Sequence, residues 1–271
     1  MKSKRKKKSK RRRGIYVLPN LFTSASLFSG FYAIVAAMEG RFEPAAVAIM
    51  ISAVLDGLDG RIARLTNTTT HFGVEYDSLA DVIAFGVAPG ILAFQWALKP
   101  FGRLGWLAAF MFVICGALRL ARFNVQKTNE DVSHFKGLPI PAAAFFIASM
   151  ILFVESWDGS LEIRSAMIIT MIYVLSFLMV STLHYSSFKK FDIRNRKPFN
   201  LLLSIIFVAM IVVYKPKVML FLIIFAYVMS GPVVTFYRLY RRIPFRKSHK
   251  TRVEEQTGCG EAERTDRTDD V

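Results

Sequence analysis

The sequence predicts an all-α integral membrane protein of about eight transmembrane helices, with an acidic cavity open to the cytoplasmic side. Three observations predict it. The 271 residues are 53% hydrophobic, and the mean hydropathy is +0.36 although the formal net charge is +16. Apolar runs close to the ~20 residues that cross a ~30 Å hydrocarbon core recur along the chain. Basic residues gather in a few clusters between those runs instead of spreading evenly.

The predicted spans are, in order, 17–38, 44–65, 78–98, 104–121, 138–155, 163–183, 199–214 and 218–237. Most are apolar around the whole circumference, whereas a soluble helix shows one apolar stripe. The seventh is short and suits a tilted or partly interfacial helix. Pro139 and Pro141, just after Gly137, mark a loop entering the fifth span.

Charge orients these spans. Basic clusters lie at 2–13, at Arg119 with Arg122, at 189–197 and at 238–250. Eight spans with a cytoplasmic N-terminus put all four on the cytoplasmic side, and both termini there. The opposite loops, 39–43, 99–103, 155–164 and 215–217, are short and poorer in positive charge. Three regions follow: a basic cytoplasmic N-terminus at 1–14, a membrane domain at 15–240, and a polar tail at 241–271. The tail cannot bury enough apolar area to order itself and is expected to be disordered and cytoplasmic.

Residues 2–13 precede an apolar stretch too long for a signal peptide, so a retained first span is expected. The basic run either attracts anionic headgroups, at ~1 kcal/mol per residue, or serves as a topology signal alone. Membrane lipids are the expected partners of these basic ends, and nucleic acid is not. Cys115 and Cys259 form no disulfide framework. His71, His134, His184 and His249 show no ligand spacing and read as loop or interface residues.

The chemistry lies in four aspartates. The string is Asp56-x-x-Asp59-Gly60-x-x-Ala63-Arg64, eight residues, Gly73, three residues, Asp77, three residues, Asp81. Asp56 and Asp59 share a helix face at i, i+3, as do Asp77 and Asp81 at i, i+4. The two faces can meet across a helical hairpin, ~8–12 Å inside the cytoplasmic surface. Four ionised carboxylates there need compensation, and a hard divalent cation, Mg²⁺ or Mn²⁺, supplies it. Two such ions suit an in-line phosphoryl displacement. Gly60 and Gly73 leave room for a ligand to approach the backbone, and Arg64 suits a phosphate. A proton or cation pathway, as in a membrane cation transporter, is the competing use of intramembrane acids.

Residues 56–81 resemble, without a gap, the signature of the CDP-alcohol phosphatidyltransferase family of integral membrane enzymes. Further strings are similar to its bacterial serine-using branch: PNLFT at 19–23, ALRLARFN at 117–124, FKGLPIPAA at 135–143, LMVS at 178–181 and YSSFK at 185–189. The similarity covers about residues 15–240. It departs at Ser26, where the first-helix motif usually has asparagine.

The resemblance implies transfer of the phosphatidyl group from CDP-diacylglycerol to L-serine, giving phosphatidylserine and CMP. It implies Asp56, Asp59, Asp77 and Asp81 as ligands of two Mg²⁺ or Mn²⁺ ions, with Asp81 also the general base. Gly60, Ala63, Arg64 and Gly73 would surround the CDP moiety, with Asn20 and Thr23 nearby. For the acceptor or a phosphate, Arg119, Arg122 and Asn124 are the candidates, beside a purely anchoring role for the arginines. Lys189 and Lys190 either attract anionic donor lipid or line a solvated loop. A family member using glycerol 3-phosphate or inositol phosphate is the nearest alternative. A homodimer in the bacterial inner (cytoplasmic) membrane is the expected setting.

Overall fold

The computed structural model describes residues 2–66, 70–127, 137–156, 161–181, 183 and 215–241. The predicted span 199–214, the tail beyond 241, and Lys189, Lys190, His134, His184, His249 and Cys259 lie outside the described residues. Every regular element among the described residues is helical. They up to Pro232 form one compact unit.

The chain begins with α1 (Lys2–Met38), so the basic stretch is a helical extension of the first span. Pro19 lies inside α1, and its carbonyl accepts a bond from Thr23 Oγ1 at 3.2 Å. Gly40, at φ 77°, closes the helix: Gly40 N donates to the Ala37 carbonyl and Arg41 N to the Ala36 carbonyl. That left-handed glycine cap turns the chain directly into α2 (Phe42–Leu65).

Small residues let the α1–α2 hairpin close tightly. Ala33, Ala36 and Ala37 of α1 and Ala45, Ala46 and Ala48 of α2 are all buried. Close backbone approach through small residues is how helices associate where lipid offers no hydrophobic contrast. A ladder of hydroxyls runs down the same seam. Ser29 Oγ donates to the Ala48 carbonyl at 2.8 Å, and Ser26 and Ser52 exchange bonds with each other's carbonyls at 3.0 and 2.9 Å. Thr23 continues the ladder to Asp59. Ser26 is therefore a buried rung between two helices.

The third span starts earlier than the apolar pattern predicts. Thr70 caps α3 (His71–Asp81) by accepting from Gly73 N at 3.0 Å, so Asp77 sits mid-helix rather than at an entrance. The helix continues through a π-helical turn (Val82–Val87), α4 (Ala88–Ala93), a second π-helical stretch (Phe94–Leu98) and a 3₁₀ turn (Lys99–Phe101). The wide turn before α4 accommodates Pro89, whose ring and missing N–H oppose an ordinary i−4 bond. Gly30 packs against this region, where an added Cβ would lie 2.7 Å from Ala84 Cα.

The remaining helices are α5 (Arg103–Lys127), α6 (Ile140–Glu155), α7 (Leu161–Val180) and α8 (Pro216–Arg241). Pro139 is the N-cap of α6 and Pro141 lies in its first turn, where a missing N–H costs nothing. Gly137, at φ 83°, brings the loop against the end of α7, with Leu138 N donating to the Leu178 carbonyl. The core sits around Phe85, Phe112 and Phe146, and α6 is enclosed along most of its length. Outward faces are apolar instead of polar, as with Phe28 and Phe31 on α1 and Trp106, Phe110 and Leu118 on α5.

Among the described residues, four helical stretches are long and apolar enough to cross a membrane: Leu18–Met38, His71–Phe101, Arg103–Gln126 and Pro216–Thr235. The difference from eight has a physical reason. α2 carries Asp56, Asp59, Arg61 and Arg64 in its second half, the apolar helix Ile140–Glu155 is short, and the predicted span 199–214 lies outside the described residues. Three bounds differ by more than a few residues: α1 reaches back to Lys2, α3 starts at His71, and α5 runs on to Lys127.

Candidate active site

The hairpin's polar end meets α3. Asp56 and Asp59 lie in the last three turns of α2, and Asp77 faces them from α3. One carboxylate oxygen from each of the three falls within 4.8 Å of the others. Asp56 is central and interacts with both Asp81 and Asp77. Like charges this close repel by roughly 3 kcal/mol per pair at an effective dielectric near 20. A divalent cation relieves that repulsion. Carboxylate oxygens from two rigid helices, within one ion's reach, fit Mg²⁺ or Mn²⁺ by donor type.

Asp59 is buried and receives a hydrogen bond from Thr23 Oγ1 at 2.8 Å. Thr23, also buried, thus fixes the carboxylate's orientation from α1. Asn20 lies one turn earlier on α1, with Oδ1 only 3.3 Å from where a Cβ on Gly73 would stand. Such a Cβ would also stand 3.0 Å from Thr70 Oγ1, so Gly73 serves the cap and the α1–α3 approach. Gly60 differs: nothing lies within 4 Å of an added Cβ, leaving open space beside the acidic cluster. Ala63 is half-buried, and exposed Arg64 donates from Nε to the Gly60 carbonyl at 2.8 Å.

The structure separates the two arginines of α5. Arg122 donates from Nη2 to the Val180 carbonyl at 3.1 Å, tying α5 to α7. Arg119 is half-buried beside Asp81 and beside Tyr227 of α8. Its Nε is buried and has no hydrogen-bond partner among the described residues. Asn124 donates from Nδ2 to Ser78 Oγ at 2.9 Å, so it contacts the residue after Asp77. Sequence reasoning missed Tyr227, Ser24, Tyr76 and Ser78. Ser24, Tyr76 and Ser78 lie in or beside the motifs and Tyr227 lies in none, and the partners of all four are 46 or more residues away in the chain.

Carboxylates able to hold a hard cation at the polar end of apolar helices suit an enzyme that works on a phosphate-bearing lipid. The fold and site define that class: an integral membrane enzyme of phosphoryl-group chemistry. The chain belongs to the CDP-alcohol phosphatidyltransferase family, whose model matches residues 16–183. It is 46% identical over 179 residues to the CDP-diacylglycerol–serine O-phosphatidyltransferase of Helicobacter pylori, covering 65% of this chain and 74% of the relative. The Mycobacterium bovis protein of the same name is 31% identical over 236 residues, covering 83% and 81%. An archaetidylserine synthase of Methanothermobacter thermautotrophicus is 37% identical over 170 residues, covering 62% and 69%.

Proposed function

We propose that this enzyme transfers the phosphatidyl group of CDP-diacylglycerol to the hydroxyl of L-serine, giving phosphatidylserine and CMP. The observation that carries the reading is the convergence of Asp56, Asp59 and Asp77 within 4.8 Å in a chain 46% identical to a serine O-phosphatidyltransferase. The names of the bacterial and archaeal relatives differ in the lipid and share serine, which favours serine over glycerol 3-phosphate or inositol phosphate.

Asp56, Asp59 and Asp77, joined by Asp81 beside Asp56, would hold two divalent ions. Bound ions neutralise the pyrophosphate and the charge that develops on the departing CMP. Asn20, Thr23, Gly60, Ala63, Arg64 and Gly73 take the CDP moiety, with open space beside Gly60 to admit it. Asp81 accepts the proton of the serine hydroxyl as the serine oxygen bonds to phosphorus and the bond from phosphorus to CMP breaks. Arg119, next to Asp81 and with Nε unpartnered among the described residues, receives the serine carboxylate.

The setting is the bacterial inner membrane, with about eight spans, both termini cytoplasmic and the acidic cavity open to the cytosol. Placing the basic clusters inside supports this orientation. A homodimer is the proposed assembly. The test is CMP release from CDP-diacylglycerol by the purified chain with serine, glycerol 3-phosphate or inositol phosphate offered singly. Release with serine is expected. Release only with another alcohol would reassign the acceptor, and cation flux into liposomes without CMP release would make the chain a transporter.

A further inference from the structure

Asp77 lies between two residues that are each tied to a different helix. Tyr76 OH and Ser24 Oγ of α1 are hydrogen-bonded at 2.9 Å. Ser78 Oγ accepts from Asn124 Nδ2 of α5, also at 2.9 Å, while donating to the Val74 carbonyl at 3.0 Å. With 3.6 residues per turn, Tyr76 and Ser78 project about 100° to either side of Asp77. One tie pulls α3 toward α1 and the other toward α5, which leaves Asp77 turned to Asp56 and Asp59 on α2.

Rotation of α3 in either direction breaks one of these bonds. The α1 side is anchored to the same cluster: Ser24 follows Thr23, which holds Asp59 at 2.8 Å. One turn of α1 therefore grips α2 through Thr23 and α3 through Ser24, setting the gap between Asp59 and Asp77. The ring of Tyr76 is itself braced by Phe72, stacked at 6.0 Å between centroids and 8° between planes.

We propose that Tyr76 with Ser24, and Asn124 with Ser78, are positioning residues that set the rotation of α3 and so the spacing of the divalent-ion ligands. This rests on the reading that the aspartates hold such an ion. The four act through the helix that carries Asp77. Outer contacts of metal ligands commonly matter ~10–100-fold for affinity, and action through the backbone belongs at the low end.

The test is Mn²⁺ binding by the purified full chain in lipid nanodiscs, read from the signal of free Mn²⁺ in electron paramagnetic resonance. Tyr76→Phe, Ser24→Ala, Ser78→Ala and Asn124→Ala should each raise the Mn²⁺ dissociation constant, by about tenfold for Tyr76→Phe. Tyr76→Phe combined with Ser24→Ala should lose no more than either alone, because they remove one bond. In the Tyr76, Ser24 and Ser78 variants the KM for serine at saturating Mn²⁺ should stay near the wild-type value. Melting in EDTA identifies any variant that does not fold, and the hydroxyl-deleting variants report on both ties without Asn124→Ala. Unchanged Mn²⁺ affinity in folded variants overturns the proposal, as does a raised serine KM with no change in metal affinity. A wild-type chain that binds no Mn²⁺ overturns the metal reading itself.

Discussion

Thr23 Oγ1 donates to Asp59 Oδ2 across 2.8 Å, joining the first helix to the acidic cluster of the second. The same hydroxyl lies 3.2 Å from the Pro19 carbonyl, one helical turn before it. The threonine holds its carboxylate because the hairpin's small residues bring α1 and α2 close enough for a short side chain to reach. Packing in the upper hairpin and chemistry at its lower end are therefore one structure.

Thr23→Val keeps the shape and removes the donor. A hydrogen bond to a charged group contributes ~1.5–3 kcal/mol, so the variant should need about tenfold or more additional Mg²⁺ or Mn²⁺ for half-maximal CMP release. Thr23→Ser should retain most of the wild-type response. The check is metal-dependent CMP release for the two variants side by side, and equal behaviour of both would remove Thr23 from the site.

The two arginines of α5 should separate by function. Arg119→Gln should raise the KM for serine by about tenfold or more, from a lost charge-assisted bond of ~1.5–3 kcal/mol, and leave CDP-diacylglycerol affinity nearly intact. Arg122→Gln should leave the serine KM alone and lower the melting temperature, because its side chain holds the Val180 carbonyl. Steady-state kinetics beside thermal melting of both variants decides between them.

Gly30→Val tests the close approach of α1 to the third span. Its Cβ would stand 2.7 Å from Ala84 Cα, a collision with backbone that no rotamer relieves. Overpacking of this kind costs ~1–3 kcal/mol, which should appear as a lower melting temperature in detergent. A variant as stable as the wild type would show that the two helices can part freely.

The aspartate spacing made the essential site legible in the sequence. Helical periodicity puts Asp56 and Asp59 on one face, and the hairpin brings that face to Asp77 as the spacing requires. Residues at i, i+3 and i, i+4 carry that information locally. The bonds Ser24–Tyr76, Asn124–Ser78 and Ser26–Ser52 do not, because each joins common polar residues whose partners are fixed only by tertiary packing. Thr70 was readable as a cap in principle, but the polar residues that follow it hid the early start of α3 from a hydropathy reading.

Asp81→Asn should divide binding from chemistry. The amide keeps size and some ligand capacity but accepts no proton, so donor affinity in the presence of metal should survive. Single-turnover transfer should fall by the ~10²–10⁴ typical of a lost general base. Asp56→Asn should instead weaken donor binding, since Asp56 is the centre of the carboxylate cluster. Near-normal turnover in Asp81→Asn, or a rise in donor dissociation constant alone, would leave Asp81 without the role of base.

The most direct test of the central claim is phosphatidylserine formation from CDP-diacylglycerol and labelled L-serine by the purified chain, before and after chelation. Product should form with one CMP per phosphatidylserine, vanish in EDTA, return with Mg²⁺ or Mn²⁺, and stay near background in Asp59→Asn with metal present. Undiminished phosphatidylserine formation in EDTA or in Asp59→Asn would contradict the metal-assisted account, and an active enzyme that labels no lipid from serine would contradict the acceptor.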